Sequence, residues 1–264
     1  MPLTEHQFHR YARHLILDEV GEEGQEKLLR SHVLVVGAGG LGSPALLYLA
    51  AAGVGTLGVV DDDQVDVTNL QRQVLHANDR IGVDKAKSAV LALAALNPET
   101  RVIPHKVRLD ASNALDLIEP YDLVIDGSDN FATRYLLNDA CYLARKPLVA
   151  ASLLRFEGQL STFRAYERGP CYRCLFPERP PPDLIPRCEE AGILGSVAGV
   201  MGTLQATEVL KELLGLGEGL SGRLLIYDAL GTTFRTITVP KDPTCALCGP
   251  QATISDLSAH QKAA

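Results

Sequence analysis

The sequence lacks an excess of positive charge. Its 264 residues include 25 Lys and Arg against 32 Asp and Glu, which gives a formal net charge of −7. A protein that binds a nucleic-acid backbone needs clustered Lys and Arg to neutralise the phosphates. The composition therefore argues against a general nucleic-acid binder, but it leaves room for a local basic pocket that holds a nucleotide.

Long uninterrupted hydrophobic runs are lacking as well. The apolar stretch from Ala45 to Val60 is broken by Gly53, Gly55 and Gly58, and it is too short to cross a bilayer. Residues 1–6 show no basic start that leads into an apolar run, so the sequence predicts no signal peptide. Together these absences predict a cytoplasmic protein without membrane contact.

Short apolar runs alternate with helical patterns, and no internal repeat interrupts them. Strands are predicted at 32–36, 56–60, 101–105, 123–125 and 148–150. Helices are predicted at 4–29, with breaks at Gly21 and Gly24, and at 43–52, 85–96 and 131–144. Further strands follow at 159–164, 224–227 and 234–239, with a helix at 195–214. This pattern predicts an α/β fold, a Rossmann-like and mostly parallel sheet with helices on both faces, continued by antiparallel strands.

A glycine motif joins the first strand to the next helix. Gly37-x-Gly39-x-x-Gly42 has the spacing of the dinucleotide-binding fingerprint, in which glycines let phosphate approach the helix N-terminus. Asp61 ends the second strand, where an acidic residue accepts hydrogen bonds from ribose hydroxyls. Taken alone, this motif favours an NAD-dependent oxidoreductase.

The next polar residues favour phosphoryl transfer instead. Asn69, Arg72 and Gln73 follow Asp61, and Lys85 begins the next helix. A fixed guanidinium neutralises charge that develops on phosphates, whereas a hydride transferase has no obvious use for one. Arg72 could also be an ordinary surface residue, and Lys85 could lie on a solvated helix face.

A further carboxylate follows the fourth strand. Asp129 lies in the segment Asp126-Gly-Ser-Asp-Asn130, at the edge of the sheet that faces the expected ligand. A carboxylate at that edge is a plausible Mg²⁺ ligand, because Mg²⁺ commonly binds one or two carboxylates together with phosphate oxygens. The alternative is that Asp129 caps the helix that begins at Phe131.

Four of the six cysteines form two CxxC pairs, Cys171 with Cys174 and Cys245 with Cys248. Four thiolates can close a tetrahedral structural zinc site, although the pairs could also be a redox motif or unrelated to each other. The remaining two cysteines are Cys141, which fits a helical core pattern, and Cys188. Cys188 follows the proline-rich stretch 177–186, which we expect to be a mobile loop.

Taken together, these motifs resemble the ThiF/MoeB/HesA group, relatives of the ubiquitin-activating enzymes. The resemblance extends from about Tyr11 to Cys248 and includes the opening segment Arg10-Tyr-Ala-Arg-His-Leu-Ile-Leu17. It implies an enzyme that uses ATP and Mg²⁺ to adenylate the C-terminal glycine carboxylate of a ubiquitin-like sulfur-carrier protein. The carrier could serve thiamin synthesis, molybdenum cofactor synthesis or tRNA thiolation. The alternatives are an NAD-dependent oxidoreductase and a non-enzymatic zinc scaffold that binds protein tails.

The resemblance also implies roles for individual residues. Arg72, Lys85 and Asp129 would act in catalysis, and Arg13 would reach the partner's site across a homodimer interface. Cys188 would bond to the activated carrier or take part in sulfur relay, and the alternative is an inert exposed thiol. The four CxxC cysteines would bind zinc. The residues implied to bind the nucleotide are Gly37, Gly39, Gly40, Gly42, Asp61, Asn69, Arg72, Gln73, Lys85, Asp129 and Asn130.

The expected organisation is a single adenylation domain over residues 1–264. It would comprise a helical segment (1–30), a nucleotide-binding half (31–150), an antiparallel and zinc half (151–250) with a mobile loop (177–192), and a tail (251–264). We expect no appended rhodanese domain, because the chain ends soon after Cys248. Sulfur would then come from a separate donor, such as a cysteine desulfurase or a rhodanese.

Overall fold

The apolar runs of the sequence lie side by side in one sheet. The computed structural model describes residues 2–180 and 191–261, and within them the sheet has eight strands. Numbered along the chain, these are β1 (His32–Val36), β2 (Thr56–Val60), β3 (Arg101–His105), β4 (Leu123–Asp126), β5 (Leu148–Leu154), β6 (Glu157–Phe163), β7 (Arg223–Asp228) and β8 (Thr233–Thr238).

Strand direction divides the sheet into two parts. β1 pairs in parallel with β2 and β4, and β3 and β5 extend this parallel part on either side. β6, β7 and β8 continue it in antiparallel fashion. The strand order β3-β2-β1-β4-β5-β6-β7-β8 confirms the predicted α/β sheet with antiparallel strands added at one edge.

The strand order reverses at β1, because the chain adds β2 and β3 on one side and β4 and β5 on the other. In open parallel sheets, such a reversal leaves a crevice at the carboxyl ends of the two central strands. Val36 and Asp126 end β1 and β4, and they lie opposite each other in the register. Residues that follow these two strands therefore meet at one edge of the sheet.

Helices cover both faces of the parallel part, as predicted. β1 shows why: Val33 and Val35 point into one hydrophobic core, while Leu34 and Val36 point into the other. The described helices are α1 (Glu5–Arg10), α2 (Ala12–Leu15), α3 (Gly21–Arg30), α4 (Gly42–Ala51), α5 (Lys85–Leu96), α6 (Ala114–Ile118), α7 (Phe131–Leu143), α8 (Tyr172–Leu175) and α9 (Gly195–Leu214).

The N-terminal segment is helical, as predicted for residues 4–29, and it consists of three helices, α1, α2 and α3. The break predicted at Gly21 is found at the start of α3, whereas Gly24, the other predicted break, lies inside α3. Gly21 has φ +55°, a left-handed conformation that a continuous right-handed helix does not allow. The five-residue helix α6 was not predicted, because so short a segment shows little helical periodicity.

The C-terminal residues pack on the body of the protein. Leu257 is buried in the core on the α7 side of the sheet, and residues Ser258–His260 form a 3-10 helix. The predicted mobile loop at 177–192 lies largely outside the described residues, and the domain limits remain predictions. In the described part of the chain, no helix combines the length and the apolar character that a membrane crossing requires.

Candidate functional site

The turn after β1 is so tight that it leaves no room for a side chain at Gly37 or at Gly42. Gly37 has φ +94°, and a Cβ atom there would lie 2.7 Å from the Gly127 carbonyl oxygen. A Cβ on Gly42 would lie 1.8 Å from the Gly37 carbonyl oxygen. At Gly39, in contrast, the nearest atom to a Cβ would be the Gln73 side-chain nitrogen, at 3.8 Å. The turn therefore leaves its backbone open to a ligand at the N-terminus of α4.

Asp61, which directly follows β2, is hydrogen-bonded to this turn. Its carboxylate accepts hydrogen bonds from the Ala38 N–H at 2.8 Å and from the Asp63 N–H at 2.9 Å. Burial raises the pKa of the Asp61 carboxyl above its ordinary value, and the Lys85 ammonium opposes that shift. Because each oxygen keeps a free lone pair, the carboxylate can still accept from a ligand hydroxyl.

Lys85 is not on a solvated helix face. Its residue is only 7% exposed, and its Nζ lies 2.9 Å from Oδ2 of Asp63. The backbone N–H of Lys85 also donates to the Asp63 carbonyl, at 2.9 Å. Asp63, whose side chain is 69% exposed, is thus a site residue that sequence reasoning missed. An acidic residue two positions after Asp61 was the only signal for it.

Arg72 lies against the glycine turn. Its Cγ and Cδ would be 3.6 and 3.7 Å from a Cβ on Gly40, and its Nη1 donates to the Thr68 carbonyl at 3.0 Å. The half-buried guanidinium keeps its other N–H groups for a ligand. Arg72 is therefore held beside the glycine turn by its stem and by one hydrogen bond.

Two neighbours of Arg72 shape the same turn. Asn69 ends a short 3-10 helix, and its side chain accepts from the Asp66 N–H at 3.4 Å. Gln73 is buried, and its Oε1 has no hydrogen-bond partner among the described residues. Since buried polar atoms normally have partners, this oxygen is available to a ligand or a water in the crevice.

The loop after β4 brings Asp129 to the same edge. The cap of α7 is Asn130, whose Oδ1 accepts from the Thr133 N–H at 2.9 Å. The alternative role of Asp129 as the helix cap is therefore wrong. Asp129 is exposed, and no hydrogen bond to its side chain is found within residues 2–180 and 191–261. Its carboxylate is consequently available for a cation or a ligand.

A buried ion pair supports this loop. Oδ1 of Asp126 accepts from the N–H and the hydroxyl of Ser128, at 2.9 and 2.6 Å. Its Oδ2 lies 3.4 Å from Nε of Arg134, and an Arg134 Nη2 donates to the Ser128 carbonyl at 3.3 Å. Burial raises the pKa of Asp126, and the charge of Arg134 opposes the shift. Sequence reasoning missed Arg134, because the pairing depends on how α7 packs on β4.

Two predicted catalytic residues are not brought into this crevice. Arg13 is exposed on α2. The preceding Tyr11 contacts the position of Gly53, before β2, and accepts from Asn97 at the end of α5. These contacts place α2 near the amino ends of the parallel strands, whereas the glycine turn lies at their carboxyl ends. Arg13 therefore does not reach the site of its own chain. Cys188 lies outside the described residues.

The two CxxC pairs meet as predicted, far from the glycine turn in sequence. The four Sγ atoms lie within 4.8 Å of one another, with separations of 3.9 Å for Cys171–Cys174, 3.5 Å for Cys171–Cys245 and 3.4 Å for Cys174–Cys248. A tetrahedral zinc with Zn–S bonds of about 2.3 Å requires S–S edges of about 3.8 Å. The cluster therefore fits a four-thiolate zinc site, whereas Cys141 lies on α7 and is buried in the core.

A buried carboxylate ties this cluster to the C-terminal residues. Asp139 on α7 accepts two hydrogen bonds from Arg173, both at 2.8 Å, and one from His260 at 2.6 Å. Arg173 lies between the two cysteines of the first pair. Burial alone would raise the pKa of Asp139, but the hydrogen bonds from Arg173 and His260 outweigh it and hold the pKa below its ordinary value.

The whole chain is similar to known proteins. A family model described as the ThiF family matches residues 11–247. A sulfur carrier protein adenylyltransferase of Thermus thermophilus is 52% identical over 261 residues, which cover 97% of this chain and 96% of that protein. The SAMP-activating enzyme E1 of Haloferax volcanii is 53% identical over 243 residues, which cover 92% of this chain and 89% of that protein.

A more distant likeness comes from solved structures. Crystal structures of MccB from E. coli superpose with a TM-score of 0.79 at 23% identity, over 91% of this chain and 75% of that one. At this identity the likeness concerns the fold alone. The family match covers most of the chain, and the relatives named above are close over nearly their whole length. The chain belongs to the ThiF family.

Proposed function

We propose that this protein uses ATP to adenylate the C-terminal glycine carboxylate of a ubiquitin-like sulfur-carrier protein. One observation carries the proposal. Arg72 packs beside Gly40 of the glycine turn, Lys85 bonds to Asp63 just after β2, and Asp129 follows β4, so the three side chains lie at the carboxyl ends of neighbouring parallel strands. The named relatives support the reaction, since one is a sulfur carrier protein adenylyltransferase and another a SAMP-activating enzyme. They include no oxidoreductase.

The nucleotide would bind across this edge of the sheet. Asp61 would accept from the ribose hydroxyls, and Asn69 and Gln73 would line the pocket beside it. The N–H groups of the turn from Gly39 onward, rather than those of Gly37 and Ala38, which already donate to Val60 and Asp61, would contact the phosphates at the N-terminus of α4. Gly40 leaves room for the stem of Arg72, so that its guanidinium can face the phosphates.

The proposed reaction needs no side-chain nucleophile. A carboxylate oxygen of the carrier attacks the α-phosphorus of ATP, the bond to the bridging oxygen breaks, and pyrophosphate leaves. The carboxylate is already ionised at neutral pH, so catalysis rests on positioning and on charge neutralisation. Lys85 has three N–H donors, and it can therefore contact a phosphate while it keeps its bond to Asp63.

A magnesium ion fits the exposed Asp129 carboxylate, because Mg²⁺ takes one or two carboxylates together with phosphate oxygens. Bound there, it would neutralise part of the phosphate charge and orient the phosphates. Asn130 is proposed as a neighbour of this site through its backbone, since its side chain caps α7. Asp126 and Arg134 would hold the loop that presents Asp129.

Other parts of the proposal concern partners and metal. The four cysteines would bind a structural zinc, which has no open coordination position and so no part in the chemistry. The protein would act as a cytoplasmic homodimer in which Arg13 of the partner subunit completes each site. A separate donor, such as a cysteine desulfurase or a rhodanese, would convert the acyl-adenylate to a thiocarboxylate. A relay role for Cys188 remains a prediction.

The product of the reaction tests this function. The protein would be incubated with ATP, Mg²⁺ and each candidate carrier, and the carrier would be weighed by mass spectrometry. We expect one carrier to gain an AMP group, and the same carrier without its last glycine to stay unmodified. A carrier that never gains AMP, together with tight binding of NAD and none of ATP, would favour the oxidoreductase alternative. ATP binding without any turnover would favour the scaffold.

A further inference from the structure

His76 is a buried histidine beneath the glycine turn, and the reaction above does not use it. Its residue is 6% exposed. Its backbone N–H donates to the Gln73 carbonyl at 3.0 Å, so it follows directly on the turn that carries Arg72. The side chain lies between the glycine turn and the first turns of α5.

Both ring nitrogens of His76 have partners. Nε2 lies 2.8 Å from the Ala38 carbonyl oxygen, and Nδ1 lies 2.9 Å from Oγ of Ser88 on α5. A carbonyl oxygen only accepts, so Nε2 carries the proton. Nδ1 of the neutral ring then accepts from the Ser88 hydroxyl. Burial lowers the pKa of His76 below its ordinary value, and the nearby charges of Lys85 and Arg80 act in the same direction.

The hydrogen bond to Ala38 fixes the orientation of one peptide group. The Ala38 N–H donates to Asp61 at 2.8 Å, and the Ala38 carbonyl points to His76, so the residue is held from both sides. In a trans peptide the N–H points away from the carbonyl of the same plane, and the structure has no cis peptide bond within its described residues. The Gly39 N–H must therefore point away from His76.

The Gly39 N–H has no partner among the described residues. No hydrogen bond from it is found within residues 2–180 and 191–261, and a Cβ atom on Gly39 would meet no atom nearer than Nε2 of Gln73, at 3.8 Å. An unpaired N–H at the start of a helix is a donor for an anion. If the peptide turned over, the Ala38 carbonyl oxygen would face the phosphates instead and repel them.

We infer that His76 is a positioning residue for the nucleotide, which holds the Ala38–Gly39 peptide so that the Gly39 N–H faces the phosphates. The inference rests on the proposed function, because it requires a phosphate ligand at the glycine turn. His76 contacts neither the substrate nor the reacting atoms, and it acts through the peptide. This role explains why an uncharged imidazole is buried directly behind a phosphate-binding turn.

The test compares ATP with adenosine by titration calorimetry. His76→Leu keeps the bulk of the ring but removes the donor, and we expect it to weaken ATP binding about tenfold or more, as for loss of a hydrogen bond to a charged group. Adenosine has no phosphates, so its binding should stay within about twofold. His76→Gln restores a donor toward Ala38 and should recover most of the ATP affinity.

Ser88→Ala is the matched control, because it removes the other ring hydrogen bond and leaves the one to Ala38. We expect it to bind ATP nearly as the wild-type protein does. An equal loss for ATP and adenosine in His76→Leu would overturn the inference, since that indicates general damage. Unchanged ATP affinity in the folded variant would overturn it as well. If the wild-type protein itself binds no ATP, the proposed function fails instead.

A measurement on the unchanged protein covers the case in which His76→Leu does not fold. In an amide NMR spectrum, the Gly39 signal of the wild-type protein should shift on addition of ATP and stay in place with adenosine. A Gly39 signal that moves equally with both ligands, or with neither while ATP binds, would contradict the inferred role.

Discussion

At the scale of single residues, the proposed reaction depends most on Arg72. Its stem packs over Gly40 and its Nη1 bonds to the Thr68 carbonyl, so the guanidinium is held before any ligand arrives. Preorganised charge costs no reorganisation during the reaction, and for that reason it stabilises a transition state more than a flexible charge does. Lys85 is held in the same way by Asp63.

We therefore expect Arg72→Ala to lower carrier adenylation about a hundredfold to a thousandfold, the usual cost of removing one preorganised donor. Thermal unfolding should change little, because Arg72 is half-buried at the surface. The exposed Arg30 on α3, which pairs with Glu26, offers a control, and Arg30→Ala should keep wild-type activity. Full activity in Arg72→Ala would remove Arg72 from the site.

At the scale of elements, α7 connects the two sites of the molecule. Its first turn follows Asp129, and Asp139 in its middle holds Arg173 and His260 beside the cysteine cluster. Asp139 is fully buried, and within the described residues its carboxylate accepts from Arg173, His260 and the adjacent Asn138. The helix thus joins the loop that carries Asp129, the segment of the first CxxC pair and the C-terminal residues.

Replacement of this carboxylate should destabilise the fold in a pH-dependent way. Asp139→Asn leaves Arg173 without its ionic partner, and such a change costs about 3–5 kcal/mol of unfolding free energy at neutral pH. The pKa of Asp139 is held below its ordinary value, so the stability that it contributes is present above the unfolded pKa of about 3.9 and is lost as the pH falls through the folded pKa.

Urea unfolding of both proteins at pH 7 and at decreasing acidic pH measures this difference. We expect it to shrink as the pH falls below about 4. The exposed Asp116 on α6 is the control, and Asp116→Asn should cost less than about 1 kcal/mol at any pH. A constant difference between Asp139→Asn and the wild-type protein across the acidic range would contradict the lowered pKa.

The cysteine cluster allows a second prediction at this scale. We expect about one zinc per chain in the purified protein, since four close thiolates form a closed site. Cys248→Ser should lose the zinc and lower the melting temperature, whereas Cys141→Ala should keep the zinc, because Cys141 is not in the cluster. Metal analysis with thermal unfolding measures both. A wild-type protein that is folded and free of metal would refute the zinc site.

The elements also show which features of the structure could be predicted from the sequence. The glycine turn and the helix start at Lys85 were predictable, because backbone conformation and local spacing encode them. The bonds of Lys85 to Asp63, of His76 to Ala38 and of Arg134 to Asp126 were not, because they depend on how helices pack on the sheet. The contact of His260 with Asp139 joins residues 121 positions apart, and nothing in the local pattern of either residue indicates it.

At the scale of the whole molecule, the position of Arg13 concerns the way in which two subunits would share a site. Arg13 lies at the opposite end of the strands from the crevice of its own chain, and the nearby apolar residues Ile16 and Leu17 are 70% and 48% exposed. An exposed apolar segment beside a predicted catalytic arginine fits a subunit interface. Arg13 would then serve the site of the other subunit.

A mixing experiment tests this arrangement. Arg13→Ala and Arg72→Ala should each be nearly inactive. When equal amounts of the two variants are dissociated and re-associated, half of the dimers contain one subunit of each. In such a dimer, one of the two sites has both an intact Arg72 and an intact Arg13 from the other subunit. We expect about a quarter of the wild-type activity to return, from the symmetry of a two-fold dimer. If Arg13 acts within its own chain, mixing will restore nothing. If Arg13 plays no part in the reaction, Arg13→Ala alone will already be fully active.

The central claim is that the glycine turn and its neighbouring cations hold a triphosphate while a peptide carboxylate attacks it. Exchange of labelled pyrophosphate into ATP measures that step alone. We expect exchange only when the carrier is present with its C-terminal glycine intact, and loss of exchange when that glycine is removed. Exchange that proceeds equally well without the carrier's terminal carboxylate would contradict it.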